Sequence, residues 1–293
     1  MLLILRPNYP RCNINCEYCP FRSDKLKDLF KIYRILRGKY LFRKIYKIIK
    51  QNPSKKALFF VPDGELLISR FYRNIIKDLL KDPNVINCSI QTNLCYDLND
   101  FLEDIETNKL MIWTTFHINQ YSIEQQKQFF KNLKILKDKK VKFSVGVVAT
   151  KERIKNLVKY KKMFKNMGIH MWVNGVKGPK YPFYNEKEKE IIYSVDSNSK
   201  YEVERIYSKG KICSAGTKTI FIDGKGDIYR CPLSIYKKRY WIGNVLKNGL
   251  YFLEHSEPCK IDHCSCFISY MTFKEEEFDK IYGNTKICRF PLE

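Results

Sequence analysis

The sequence predicts an α/β protein built as a partial (β/α)6 TIM-like barrel with a small C-terminal β-hairpin and helix extension. Three observations carry this prediction: six short apolar runs, amphipathic stretches between them, and a hairpin signal in the C-terminal third. Strands that alternate with helices pair in parallel, and six such units fall short of the eight of a closed barrel. In such a fold, chemistry is expected at the carboxyl edge of the strands.

The predicted strands are apolar runs rich in aliphatic and aromatic residues. They are LLILR (2–6), ALFFV (57–61), VINCSIQ (85–91), MIWTTFH (111–117), VKFSVGVV (141–148) and IHMWVNG (169–175). The helical patterns between them lie near 25–50, 69–80, 122–137 and 153–167. This order predicts a barrel domain over residues 1–177.

Beyond the barrel the pattern loosens. Residues 178–210 contain a proline-containing loop and a helical segment rich in Lys and Glu, and they are predicted to form a linker. Residues 211–293 are predicted to form a second unit. Its segment KTIFIDGKGDIYRC places two short strands around Asp-Gly-Lys-Gly, which is typical of a β-hairpin.

Length and composition indicate a cytoplasmic protein with a sizeable core. The chain has 293 residues, of which 44% are hydrophobic. No run approaches the roughly 20 apolar residues of a membrane span, and the first residues do not form a secretory signal. The 11 cysteines cluster unevenly, so metal ligation in a reducing compartment explains them better than disulfides.

The charge balance is strongly basic. The formal net charge of +23 arises from 54 Lys and Arg against 31 Asp and Glu. Such a field attracts nucleic acid, phosphorylated metabolites or an acidic partner. Because the lysines are spread through nearly every segment and do not form one block, we do not expect nucleic-acid binding.

The stretch RCNINCEYCP places Cys12, Cys16 and Cys19 directly after the first strand. Thiolates are soft ligands that select zinc, copper(I) or iron–sulfur clusters. No histidine lies between Tyr9 and Cys88, so a local zinc site would have only three protein ligands. A cubane cluster bound by three cysteines keeps one iron open for a substrate or cofactor. Three unrelated buried or zinc-bound cysteines are the alternative.

The Cys-x3-Cys-x2-Cys spacing, with Tyr18 before the last cysteine, resembles the signature of radical S-adenosylmethionine (SAM) enzymes. The resemblance implies a 4Fe-4S cluster on Cys12, Cys16 and Cys19 whose open iron chelates SAM. One electron then cleaves SAM to a 5′-deoxyadenosyl radical. It also implies a flavodoxin- or ferredoxin-type electron donor.

The same resemblance implies further SAM contacts. PDGELL after the second strand is similar to the family's Gly-Gly-Glu-Pro stretch, with Asp63 and Leu66 as departures, and would place Gly64 and Glu65 at the SAM amino group. A plain β-turn is the alternative interpretation. The other contacts implied by similarity are Tyr18, Thr92, Asn93, His117, Gly146 and Val147.

The C-terminal cysteines resemble the SPASM and Twitch extensions of radical SAM enzymes. There a hairpin like the one from Cys213 through Gly226 to Cys231 carries two ligands of an auxiliary cluster. We expect one auxiliary iron–sulfur cluster, of the 4Fe-4S type, on Cys213, Cys231 and two others. The remaining candidates are Cys259, Cys264 and Cys266.

Other assignments of these residues stay open. A structural zinc site could use His255 or His263 in place of one thiolate. Cys88 is expected in the core, and Cys95 and Cys288 are either spare or ligating.

The resemblance does not fix the substrate. We expect hydrogen abstraction from a small polar or phosphorylated metabolite, such as a sugar, aminocyclitol or nucleotide, and an oxidised product with electron transfer to the auxiliary cluster. The first alternative is a peptide- or protein-modifying maturase. The second is a non-enzymatic metal protein that binds nucleic acid, which predicts steeply salt-dependent binding and no SAM cleavage.

Overall fold

The computed structural model describes residues 1–21, 28–176, 184–233 and 240–292. Its core is a run of six parallel strands in which each strand pairs with the next along the chain. They are β1 (Leu2–Arg6), β2 (Lys56–Phe60), β3 (Val85–Thr92), β4 (Leu110–Thr115), β5 (Lys142–Ala149) and β6 (Met171–Gly175). The predicted partial barrel is therefore confirmed.

Helices connect these strands, as the amphipathic patterns predict. They are α1 (Asp28–Gln51), α2 (Arg70–Leu80), α3 (Asn99–Leu102), α4 (Ile123–Asp138), α5 (Lys151–Ile154), α6 (Leu157–Asn166), α7 (Glu186–Val195) and α8 (Lys200–Val203). The segment predicted as one helix near 153–167 is divided at Asn156, the N-cap of α6. Asparagine is favoured at this position because its side chain competes with the helical backbone.

The predicted C-terminal hairpin extends the barrel sheet. It consists of β9 (Thr219–Asp223) and β10 (Asp227–Tyr229), with Gly226 at a φ of +86° in the turn. Strand β9 pairs in parallel with β1, and β11 (Trp241–Asn244) pairs with β10. One sheet of nine strands thus continues from the barrel into the extension, while residues 177–183 of the predicted linker lie outside the described residues.

The remaining elements lie between and after these strands. Two short ladders join β8 (Ile212–Cys213) to β12 (Glu257–Pro258) and β7 (Ile206–Tyr207) to β13 (His263–Cys264). Helix α9 (Val245–Asn248) follows β11. The chain ends with α10 (Phe267–Phe273), α11 (Glu275–Tyr282) and a 3-10 helix (Gly283–Cys288).

The C-terminal segment fills the inner face of the sheet. Ile4, Trp113 and Trp172 project from the strands into one buried cluster with Phe267 of α10 and Phe278 of α11. The Ser89 hydroxyl also donates a 2.5 Å hydrogen bond to the carbonyl of Ile287 in the 3-10 helix. The other strand face packs against the outer helices in a second, larger core. Both faces of the sheet are therefore buried, as the near-continuous apolar strands require.

A buried arginine follows the 3-10 helix. The Arg289 side chain is fully buried, 3.2 Å from the Asp196 carboxylate and 3.7 Å from that of Glu202. Its guanidinium also lies over the rings of Trp172 and Phe267, at 4.4 and 4.2 Å from their centroids. The arginine thus links the C-terminal segment to the sheet and to the segment after β6.

His170, at the start of β6, predicts an acid-sensitive fold. Burial, helped by the nearby charges of Lys161 and Arg289, lowers its pKa to about 4. The unfolded chain takes up this proton near pH 6.5, so stability is lost as the pH falls from about 6.5 towards about 4. Between about pH 7 and about pH 5, wild type is expected to lose roughly 1–2 kcal/mol more than His170→Gln in urea unfolding. The exposed His255→Gln serves as control. An equal loss in wild type and His170→Gln would contradict the assignment.

No helix within the described ranges is long and apolar enough to cross a bilayer.

Candidate functional site

A cavity of about 840 Å³ opens at the carboxyl edge of the strands. Its wall combines the loop after β1, the ends of the following strands and the start of the C-terminal segment. Eight of the residues singled out from the sequence line it together: Cys12, Cys16, Tyr18, Cys19, Gly64, Glu65, Thr92 and Asn93. His117 lines it as well.

The three cysteines of the loop lie close to one another. The amide of Cys19 donates to the carbonyl of Cys16 at 3.1 Å, so the loop turns tightly between them. Burial raises the pKa of the Cys16 thiol to about 12, and the neighbouring thiols of Cys12 and Cys19 add to the shift. No three His, Cys, Asp or Glu side chains among the described residues converge on a single-ion site. Soft thiolates spread around an open cavity therefore fit an iron–sulfur cluster better than one zinc ion.

Gly64 allows the turn after β2 to press against the cysteine loop. A β-carbon added there would lie 2.3 Å from the carbonyl oxygen of Arg11 and 2.5 Å from that of Tyr9. The next amide, of Glu65, donates to the same Arg11 carbonyl at 2.8 Å. Only glycine permits this approach without displacing the loop.

The Glu65 carboxylate lies at the centre of a buried hydrogen-bond network. It accepts from the Asn93 amide at 2.7 Å, the Thr92 hydroxyl at 3.0 Å and the Leu67 amide at 3.0 Å. Burial raises its pKa, and these hydrogen bonds oppose the rise. The similarity-based expectation places Glu65 at SAM; here its oxygens bind the ends of β2 and β3 together.

Asn93 extends this network to the cysteine loop. Its side-chain amide donates to Asn13 at 2.7 Å and lies 3.5 Å from the Cys12 sulfur. Gln125 of α4 donates to the Asn13 carbonyl at 2.6 Å. The loop is thus held from two strands and one helix.

Arg153 of α5 completes the site, and sequence reasoning missed it. It donates to the Tyr18 hydroxyl at 2.9 Å, and that hydroxyl lies 2.8 Å from Nδ1 of His117. Because a guanidinium only donates, the Tyr18 oxygen accepts from Arg153 and its proton is free for His117. Burial and the Arg153 charge lower the pKa of His117 to about 3, so the imidazole is neutral. A cation directly after the predicted fifth strand was the available signal.

The fifth strand contributes differently from the similarity-based expectation. The side chain of Val147 is fully buried in the core against the outer helices, and Val148 lines the cavity. Alternate residues of a strand point to opposite faces, so the two valines cannot share one. Gly146 faces the inner side, where a β-carbon would lie 2.2 Å from the Trp172 ring.

The rest of the cavity wall is polar and aromatic, and sequence reasoning also missed it. Arg6 and Asp63 line it 3.7 Å apart, at the ends of β1 and β2. Glu202 and Arg205 enter from the segment after β6, where no motif marks them. Their position directly after strands was a usable signal for Arg6 and Asp63 alone.

The C-terminal cysteines divide between two cavities. Cys213, Cys231, Cys259 and Cys264 line a second, small cavity, whereas Cys266 lines the large one. The pKa of Cys264 is raised by burial and by the thiols of Cys266, Cys231 and Cys213.

The short ladders that carry Cys213 and Cys264 bring these segments together. His255 and His263 are exposed and do not line the small cavity. Four thiols without a histidine again fit a cluster better than zinc.

The other cysteines lie elsewhere. Cys88 and Cys288 are fully buried in the two cores. The Cys95 thiol contacts the Asn93 carbonyl at 3.3 Å beside the site.

No protein-family model matches the chain, and no curated protein matches it. Solved structures do. Native anSMEcpe with bound AdoMet has a TM-score of 0.61 at 16% identity, covering 94% of this chain and 82% of that one. Polyhistidine-tagged anSMEcpe with bound AdoMet has a TM-score of 0.60 at 16% identity, with coverages of 85% and 76%. The form with AdoMet and the Cp18Cys peptide has a TM-score of 0.56 at 15% identity, with coverages of 85% and 78%.

AdoMet is SAM, and anSME is an anaerobic sulfatase-maturating enzyme of the radical SAM group. The chain therefore has the radical SAM fold, a partial barrel with a parallel central sheet and a C-terminal extension.

Proposed function

We propose that the chain is a radical SAM enzyme that cleaves SAM reductively and abstracts hydrogen from a substrate carbon. One observation carries the proposal: Cys12, Cys16 and Cys19 line one open cavity at the carboxyl edge of a fold similar to an AdoMet-bound protein. A 4Fe-4S cluster on these thiolates would supply the electron and an open iron for SAM.

The chain's own residues position this chemistry. Glu65 and Asn93 fix the cysteine loop against β3, and Gly64 lets the second turn close on it. The neutral His117 and the Tyr18 hydroxyl give the cavity polar groups without a net charge beside the thiolates. Such preorganised groups favour one orientation of a bound cofactor.

For the substrate, we propose a small polar or phosphorylated metabolite. The cavity is in the range of ligand sites and is large enough for SAM and a small second molecule. Arg6 and Arg205 offer donors to phosphate or hydroxyl oxygens, and Asp63 and Glu202 offer acceptors to hydroxyl or amino groups. An oxidised product would follow from electron transfer to an auxiliary cluster on Cys213, Cys231, Cys259 and Cys264.

A peptide substrate is the second candidate. It is favoured by the similarity to anSMEcpe with the bound Cp18Cys peptide. The test is the yield of 5′-deoxyadenosine from anaerobically reconstituted, reduced protein and SAM, with host extract divided into small-molecule and macromolecular fractions. Stimulation by small molecules supports the metabolite, whereas stimulation by macromolecules alone supports the peptide. No 5′-deoxyadenosine under any condition would refute the radical SAM proposal.

The division of the C-terminal cysteines predicts two classes of variant. Replacing Cys259 or Cys264 by alanine is expected to remove about four iron atoms per chain and to leave SAM cleavage largely intact. Cys266→Ala is the matched control: it is expected to retain the iron, because its side chain faces the large cavity. Iron and sulfide analysis of the reconstituted proteins checks this. Iron loss in Cys266→Ala equal to that in Cys264→Ala would contradict the assignment.

A further inference from the structure

Helix α1 exposes an apolar stripe along its N-terminal half. Leu29, Tyr33, Leu36 and Tyr40 recur at helical spacing and are 83%, 53%, 62% and 59% exposed. Side chains four and three residues apart lie on one helix face, so these four form a continuous surface. The helix packs through its other end, where Phe42, Ile45 and Ile49 are buried. Exposed patches of this kind mark interaction sites.

The stripe is flanked by positive charge. Helix α1 carries eight Lys and Arg residues and a single acidic residue, Asp28. Among the residues that the structure describes, only Lys50 of this helix forms an ion pair, with Asp78. Arg37 donates to the Tyr33 hydroxyl and Lys44 lies over the Tyr40 ring, so cations border the stripe directly. An acidic partner with an apolar centre is the complement of such a surface.

The same helix lies beside the cysteine loop. Lys31 lines the large cavity together with Cys12. Arg34 donates to the Asn8 side chain at 2.9 Å, and a β-carbon on Gly38 would lie 2.2 Å from the Asn8 carbonyl oxygen. Asn8 precedes Cys12 by four residues. A protein bound to the stripe would therefore rest next to the loop that carries the three thiols.

We propose that the α1 surface, formed by Leu29, Tyr33, Leu36 and Tyr40 with their flanking cations, docks an acidic one-electron carrier protein of low potential. This rests on the proposed function, which consumes one electron per SAM cleaved. The reduced carrier gives up one electron and the site on the cysteine loop gains it, with no bond formed or broken. Tyrosine and leucine supply the apolar centre, and the cations steer the approach.

A lipid surface fits less well. A bilayer against the α1 surface would also lie against the cavity that Lys31 lines, where a polar substrate has to enter. A carrier protein needs contact only over a small area, as electron-transfer complexes show.

The first test is binding, measured by fluorescence anisotropy of purified oxidised flavodoxin with the reconstituted protein. Leu36→Ser/Tyr40→Ser and Arg37→Glu/Lys44→Glu are each expected to weaken the Kd by about tenfold or more. The matched controls alter other exposed apolar and basic side chains, Ile123→Ser/Val158→Ser and Lys159→Glu/Lys162→Glu. These are expected to change it less than about twofold.

Equal effects in α1 variants and controls would overturn the proposal. So would equal competition by polyglutamate, or binding to phosphatidylserine vesicles that depends on the stripe while flavodoxin does not bind.

The second test separates docking from catalysis. With reduced flavodoxin as donor, the α1 variants are expected to need about tenfold more donor for half-maximal 5′-deoxyadenosine formation. With dithionite, which needs no docking surface, they are expected to match wild type. Loss of activity with both donors in wild type would refute the proposed function. A dithionite defect confined to the α1 variants would overturn the docking assignment.

Discussion

Replacing Cys12, Cys16 or Cys19 by alanine is expected to abolish the formation of 5′-deoxyadenosine, with a loss of at least about 10³-fold. Each thiolate is one of three ligands of the proposed cluster, and the cavity offers no soft ligand in the same loop to replace it. The same variants are expected to lose about four iron atoms per chain and to keep those of the auxiliary site. The measurement combines product yield by chromatography with iron analysis.

Cys88→Ala is the matched control. Cys88 is as buried as a residue can be and lies in the core away from the cavity, so the variant is expected to lose some stability and to retain cleavage. Cleavage unchanged in Cys16→Ala would contradict the central assignment. Iron retained in Cys16→Ala with cleavage lost would show that the cysteine acts without holding a cluster.

Arg289→Met is expected to lower the free energy of unfolding by about 3–5 kcal/mol, because removing one partner of a buried ion pair leaves the other uncompensated. Asp196 is buried, and Arg289 lies 3.2 Å from it with an exposure of zero. The variant also removes the contacts of the guanidinium with the Trp172 and Phe267 rings, which line the cavity. Urea unfolding followed by circular dichroism measures the loss.

Two further variants separate charge from packing. Arg70→Met on the exposed start of α2 is expected to change stability by less than about 0.5 kcal/mol. Asp196→Asn combined with Arg289→Met removes both charges and is expected to recover part of the loss. A loss in Arg289→Met no larger than that in Arg70→Met would show that the buried pair contributes nothing.

Most of the barrel was predictable because each strand and helix is recognised from its own residues. The apolar runs place β1 to β6 within about two residues of their observed ends. The same holds for the cysteine loop: Cys12, Cys16 and Cys19 follow β1 in sequence, so the fold class alone places them at the carboxyl edge. The hairpin was predictable from Asp-Gly-Lys-Gly, although its pairing with β1 was not.

The partners of the site residues were decided only by the tertiary structure. Tyr18 and Arg153 are separated by 135 positions, and their contact depends on how β5 is placed against β1. The separation of Cys266 from Cys264 likewise depends on the ladder of β13 with β7, since two residues in sequence give no direction in space.

The sequence by itself therefore determined the strand order, the cysteine loop and the edge at which chemistry occurs, because these follow from local periodicity and spacing. Which carboxylate serves structure, which arginine reaches Tyr18 and which thiols share a cavity were decided by packing between distant segments, which local patterns do not encode.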